Sequence, residues 1–129
     1  MGSLFSSQSN NEIKQKTELD FIQDLIKSKD IFIFSKSTCF YCDQAKNLLD
    51  KSKLEYSFID LDISKKCPND DCSKITKALI SFTRFKTVPQ IFINGVFIGG
   101  FTDLNKLIFD GKLNVKDTVN RFSKLKWKK

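Results

Sequence analysis

Histidine is absent from all 129 residues. Its absence removes Ser-His and Cys-His nucleophilic machinery, His-ligated zinc and His general bases together. No run approaches the roughly 18 apolar residues a membrane span needs, and no N-terminal apolar segment marks a secretory signal. Cysteine is scarce: four residues, unevenly placed, are too few for a small secreted disulfide scaffold, which points to a reducing compartment. Acidic charge is also short, with 15 Asp and Glu against 22 Lys and Arg and a net charge of +7. The lysines are scattered, and only Lys124-Leu125-Lys126-Trp127-Lys128-Lys129 is dense. Such charge is ordinary solvated surface, or an attraction for anionic ligands such as small carboxylates and acidic membranes; no nucleic-acid partner is expected. Catalysis, if any, is left to cysteine, carboxylate, lysine and backbone.

What is present is a chain long enough for one domain with a real core, its aromatic content carried by 13 Phe against one Trp and two Tyr. Thr17 can cap a helix with apolar positions Leu19, Ile22, Leu25 and Ile26. Ile31-Phe32-Ile33-Phe34 lacks alternation and reads as a fully buried strand. A helix carrying Ala45, Leu48 and Leu49 follows, to about residue 53, and residues 56–61 form a second strand. Strand, helix, strand implies a right-handed parallel crossover. Residues 64–73 read as a polar connection, and Ile75, Ala78, Leu79 and Phe82 as the stripe of a third helix. Gln90-Ile91-Phe92-Ile93, Asn94-Gly95 and Val96-Phe97-Ile98 make a two-residue hairpin. Gly99-Gly100 breaks the strand, Thr102 can cap a short helix through Leu104, Leu107 and Ile108, and Gly111 closes it. Val115, Val119 and Phe122 suggest a final helix. The expected fold class is α/β, a thioredoxin-like fold with a four-stranded mixed sheet flanked by helices.

Cys39 and Cys42, two residues apart on a strand-to-helix turn, are the pattern of thiol–disulfide chemistry. Cys39 would face the unpaired N–H groups and positive end of its helix. A depression of three pKa units needs roughly 4 kcal/mol of preference for the thiolate. The dipole supplies about 0.3–2 kcal/mol. N–H bonds to sulfur and the charge of Lys36 must add the rest. Such a shift raises the thiolate fraction about 30-fold but lowers nucleophilicity roughly 20-fold, so the main gain is that Cys39 becomes a good leaving group. Cys42, one turn on, is the resolving thiol. A zinc site built from Cys39, Cys42, Cys67 and Cys72 is the rival, and requires all four to converge. Cys67 and Cys72 otherwise form a local disulfide or stay as two thiols.

Three stretches in order, Lys36-Ser37-Thr38-Cys39-Phe40-Tyr41-Cys42, Thr87-Val88-Pro89-Gln90-Ile91-Phe92-Ile93-Asn94-Gly95 and Ile98-Gly99-Gly100-Phe101-Thr102-Asp103-Leu104, make the chain resemble the dithiol glutaredoxins over residues 19–107. The resemblance implies reduction of protein disulfides and glutathione mixed disulfides, with glutathione as reductant. It implies that Cys39 takes the glutathione sulfur, that Cys42 resolves, and that Pro89 is a cis-proline presenting the Val88 backbone to an extended peptide. It places Lys36 and Lys86 at the glycine end of glutathione and Gly100, Thr102 and Asp103 at its γ-glutamyl end, with Tyr41 and Thr87 also in contact. A carboxylate at a helix N-terminus is physically apt. From the residues alone, Gly99-Gly100 is a strand terminator and Asp103 a cap.

The chain departs from the family pattern in three respects. Phe40 stands where Cys-Pro-Tyr-Cys has proline, a substitution associated in the family with glutathione-ligated [2Fe–2S] clusters, here through Cys39. Phe101 and Thr102 replace a more polar segment. The Cys67–Cys72 segment and both terminal arms are additions. A cluster-binding, mainly non-enzymatic role is therefore the alternative to the reductase, with no other metal expected. The partners expected are glutathione and glutathionylated or disulfide-containing proteins, acting on a monomer. The organisation expected is a flexible arm over 1–16, the glutaredoxin domain over 17–112, and a C-terminal helix and basic tail over 113–129. Met1-Gly2-Ser3-Leu4-Phe5-Ser6 fits N-myristoylation, so the cytoplasmic location expected would include weak, reversible membrane contact if Gly2 is acylated.

Overall fold

A computed structural model describes residues 17–111. The proposed acylation at Gly2, the last helix and the basic tail lie outside the described residues. Thr17 caps α1 (Glu18–Ser28): its hydroxyl accepts the Asp20 N–H at 3.1 Å, and its own N–H donates to the Asp20 carboxylate at 3.2 Å. These reciprocal bonds satisfy donors that a helix start otherwise leaves open. There follow β1 (Ile31–Ser35), α2 (Phe40–Lys51), β2 (Ser57–Asp60), α3 (Cys72–Thr83), β3 (Gln90–Ile93), β4 (Val96–Gly99) and α4 (Phe101–Phe109). No described helix is long and apolar enough to cross a membrane.

The sheet runs β2-β1-β3-β4, with β1 and β2 parallel and the other pairs antiparallel. All five residues of β1 are buried, because helices cover both faces. Side chains alternate between two cores. Phe32, Phe34 and Phe92 pack with Ile22 and Ile26 of α1 and Ile75 and Leu79 of α3. Ile31, Ile33, Ile91 and Ile93 pack with Ala45 and Leu49 of α2 and Leu104 of α4. The expected thioredoxin-like architecture is thus present, a four-stranded mixed sheet between helices.

Asn94 and Gly95 both take positive φ, +50° and +82°, as a two-residue hairpin matching the twist of its strands requires. Three sequence expectations need correction. α2 stops at Lys51, short of residue 53, because Lys53 adopts a left-handed φ of +59°. The polar connection contains two short 3-10 turns (Ser64–Lys66 and Pro68–Asp70), and α3 begins within it, at Cys72. Asp71 sets that start by accepting the Ser73 N–H at 3.0 Å. Thr102 is not the cap of α4. Gly100 holds that place, its N–H donating to Asp103 Oδ2 at 2.9 Å, so the helix starts at Phe101 and Thr102 lies in its first turn.

Candidate active site

β1 ends under the turn that carries Cys39. The Cys39 N–H closes this turn on the Lys36 carbonyl at 3.2 Å, and the chain then enters α2 with Cys39 as N-cap. The Cys39 sulfur accepts the Cys42 N–H at 3.1 Å, one direct bond of the kind a thiolate requires. Across the site, the Cys39 thiol donates to the Val88 carbonyl at 3.7 Å. Cys42, one turn further, is fully buried. Burial, followed by its hydrogen bond with the Cys39 side chain, pushes the Cys42 thiol up to about 12. At neutral pH Cys42 is therefore a protonated reserve, and Cys39 is the partly exposed sulfur.

The Val88–Pro89 bond is cis, on a loop held from below. Gln90, buried at the start of β3, donates from Nε2 to the Phe85 carbonyl at 2.7 Å, and its Oε1 lies 2.9 Å from the Thr83 hydroxyl. That hydroxyl accepts the Phe85 N–H at 3.1 Å. A buried amide satisfied on both atoms is a rigid support, and it ties the end of α3 to the loop.

Two shallow depressions flank Val88. In the first, of about 220 Å³, Tyr41, Thr87, Val88, Pro89, Gly100, Thr102 and Asp103 come together with Phe85 and Phe101. The second, of about 260 Å³, gathers Lys36, Lys86, Thr87 and Val88 with Leu61, Thr76 and Gln90. Because Val88 lines both and its carbonyl faces Cys39, the Cys39 sulfur stands at their junction. One depression is cationic; the other ends at the N-terminus of α4, where backbone N–H groups favour an anion. Gly99 makes that end possible. Its φ of +117° suits glycine, and a Cβ there would overlap the Asp103 carboxylate that caps Gly100.

The rings form a ladder: Phe40 meets Tyr41 edge-on at 5.3 Å, and Tyr41 stacks on Phe101 at 6.0 Å. Phe40 itself is 66% exposed. Phe85 was missed by sequence reasoning, since it follows a left-handed Arg84 (φ +63°) where no periodicity operates. Asp62 was missed too. It lies just beyond β2, and its carboxylate accepts both the Ser37 N–H, at 2.9 Å, and the Ser37 hydroxyl. Those bonds, with the nearby Lys36 charge, hold Asp62 below the usual carboxylate range. Only a partner 25 residues away reveals it.

The four-cysteine zinc reading fails on connectivity. Cys67 and Cys72 are bonded to each other, their Cα atoms 5.1 Å apart, and are buried in the core that contains Ile75 and Leu79. Among the described residues no group of three or more Cys, Asp or Glu is placed to hold a metal ion.

The glutaredoxin family model matches residues 31–98. Mitochondrial glutaredoxin-2 of Rattus norvegicus is 38% identical over 97 residues, which are 75% of this chain and 59% of that protein. Glutaredoxin-2 of Schizosaccharomyces pombe is 41% identical over 93 residues, 72% of this chain and 80% of that one. Among solved structures, a buckwheat glutaredoxin–glutathione complex superposes with a TM-score of 0.68 at 32% identity, covering 83% of this chain and 88% of its own. Five relatives bear the mitochondrial name, and the chain spans 53–64% of their length. Those names overturn the cytoplasmic expectation. Cysteine usage reports redox environment, and two reducing compartments look alike to it.

Proposed function

The chain belongs to the glutaredoxin family, and from that premise we propose that it is a glutathione-dependent thiol–disulfide oxidoreductase with Cys39 as nucleophile and Cys42 as resolving thiol. The observation that carries the reading is the placement of the Cys39 sulfur, between the Cys42 N–H at 3.1 Å and the Val88 carbonyl at 3.7 Å, where a cationic and an anion-receptive depression meet. Glutathione is an extended peptide with a carboxylate at each end. Its glycine carboxylate would face Lys36 and Lys86. Its γ-glutamyl carboxylate would face the N-terminus of α4 at Thr102 and Asp103, and its backbone would run along Thr87 and Val88 beside Tyr41 and Pro89. Asp103 already accepts the Gly100 N–H and keeps a second oxygen for the glutamyl ammonium.

With a glutathione mixed disulfide, the Cys39 thiolate attacks the glutathione sulfur. The S–S bond breaks, the substrate leaves as thiolate, and Cys39 carries glutathione. A second glutathione thiolate attacks that sulfur, releasing glutathione disulfide and restoring the Cys39 thiolate. With a protein disulfide, Cys39 forms a mixed disulfide with one substrate sulfur and the other departs as thiolate. Cys42 then gives up its proton and displaces the substrate, closing Cys39–Cys42, which two glutathiones reopen. The first route needs Cys39 alone because glutathione resolves the mixed disulfide, whereas the second draws on Cys42, buried and protonated at rest. Cys42→Ser is therefore expected to retain deglutathionylation of a peptide while losing most protein-disulfide reduction, and Cys39→Ser to abolish both. A coupled glutathione-reductase assay on both substrates decides it; turnover surviving in Cys39→Ser would overturn the proposal.

For a cluster, the only accessible sulfur of the described residues is that of Cys39. The remaining ligands would have to be glutathione and a second copy, and no observation favours that role over the reductase. The location we infer is mitochondrial, on the names of the relatives.

A further inference from the structure

We propose that Asp62 is a positioning residue of the site: it pins the Lys36–Cys39 turn through Ser37 and so holds Lys36 over the cationic depression. The inference rests on the reading of the preceding section, and it begins from a weakness in the turn. Lys36, Ser37 and Thr38 are all exposed, so no packing orients them. Within the turn itself there is the single backbone bond from Cys39 to Lys36. Beyond that turn, a carboxylate on the neighbouring strand's exit adds two further bonds. Parallel pairing aligns Ser35 with Asp60, and the Leu61 N–H donates to the Ser35 carbonyl at 2.8 Å. Two residues past each aligned position, Ser37 meets Asp62.

Both oxygens of Asp62 are engaged, Oδ1 by the Ser37 N–H at 2.9 Å and Oδ2 by its hydroxyl. This matters because the adjacent depression is lined by Leu61, the residue preceding Asp62, together with Lys36 and Lys86. An acid beside a carboxylate-binding surface repels its ligand unless its charge is turned away and bonded. Here the acid spends its acceptors on the turn, and Lys36 is left to face the ligand. The role is therefore chiefly one of geometry, with the attraction between Asp62 and Lys36 a smaller contribution beside the two Ser37 bonds.

That distinction is testable because asparagine keeps the pin and drops the charge. Its Oδ1 accepts the Ser37 N–H, and its Nδ2 donates to the Ser37 hydroxyl, which reverses its role. Asp62→Ala removes both bonds. With a glutathionylated peptide, Asp62→Ala is expected to raise KM by roughly 5–10-fold with kcat within about twofold, and Asp62→Asn to restore KM to within about twofold of wild type. The rate of Cys39 alkylation by iodoacetamide changes by less than KM does in both variants, since the Cys42 N–H bond to sulfur is untouched and only the Lys36 contribution moves. Ser37→Ala combined with Asp62→Ala adds nothing to Asp62→Ala alone, as expected of one coupled pair. Amide hydrogen exchange at Ser37 provides a readout independent of turnover, with protection lost in Asp62→Ala and kept in Asp62→Asn. If the wild type fails to turn over, the oxidoreductase reading falls while the exchange result still tests the pin. The proposal is overturned by an unchanged KM in Asp62→Ala, by an Asp62→Asn as impaired as Asp62→Ala, or by an alkylation rate that falls in step with kcat/KM.

Discussion

Gly99 shows how much one residue carries at this site. It turns the chain from β4 into α4 at φ +117°, and the space where its side chain would stand belongs to the Asp103 carboxylate. Gly99→Ala is expected to destabilise the protein by about 2 kcal/mol, the cost of a non-glycine residue in that region, and to break the Gly100–Asp103 cap with it. Urea unfolding measures the first effect, and an unchanged midpoint would refute it. Sequence reading found the Gly99-Gly100 break and Asp103 as a cap because both are local signals, three residues apart or fewer. It misjudged Thr102, whose hydroxyl is as good a cap in isolation as the Gly100 backbone and Asp103 together. Only the direction in which β4 arrives chooses between them.

Among the elements, α3 bridges two features that look unrelated in sequence. Its first residue, Cys72, is closed onto Cys67, and its last, Thr83, reaches the buried Gln90 under the Val88–Pro89 loop. The disulfide encloses a very short loop, so in the chain-entropy account it stabilises by only about 2 kcal/mol. Cys67→Ala with Cys72→Ala is therefore expected to lose about that much against the oxidised wild type, and to unfold at the same urea concentration with or without reductant. The test is urea titration of both proteins in each redox state; a wild type indifferent to reductant would contradict it. Spacing alone left this pair open between disulfide and free thiols. The 3-10 turn Pro68–Asp70 folds the intervening residues back, so the two sulfurs meet beside Ile75 and Leu79.

At the scale of the whole molecule, the sheet separates the two thiols of one motif by environment. Cys39 is partly exposed at the junction of the depressions, and Cys42 is packed inside. Folding raises the Cys42 thiol from its ordinary 9.0 to about 12. A group whose folded value lies above its unfolded one contributes stability fully below the unfolded value and loses it as pH rises towards the folded one. The urea midpoint of the wild type should thus fall between pH 9 and 11 more steeply than that of Cys42→Ala. Parallel slopes would show that Cys42 is not held protonated by the fold.

By itself the sequence determined the periodic stripes of the helices, the all-apolar β1, the Asn94-Gly95 hairpin and a cysteine at a helix start. Each is set by interactions between residues a few positions apart. The tertiary structure alone decided which thiol of the Cys39–Cys42 pair is buried and that Asp62 grips Ser37. It also decided that Val88, 49 residues from Cys39, presents its carbonyl to that sulfur and joins two depressions into one site. Those are contacts between segments that only strand pairing and helix packing bring together, and no local pattern encodes the distances at which they meet.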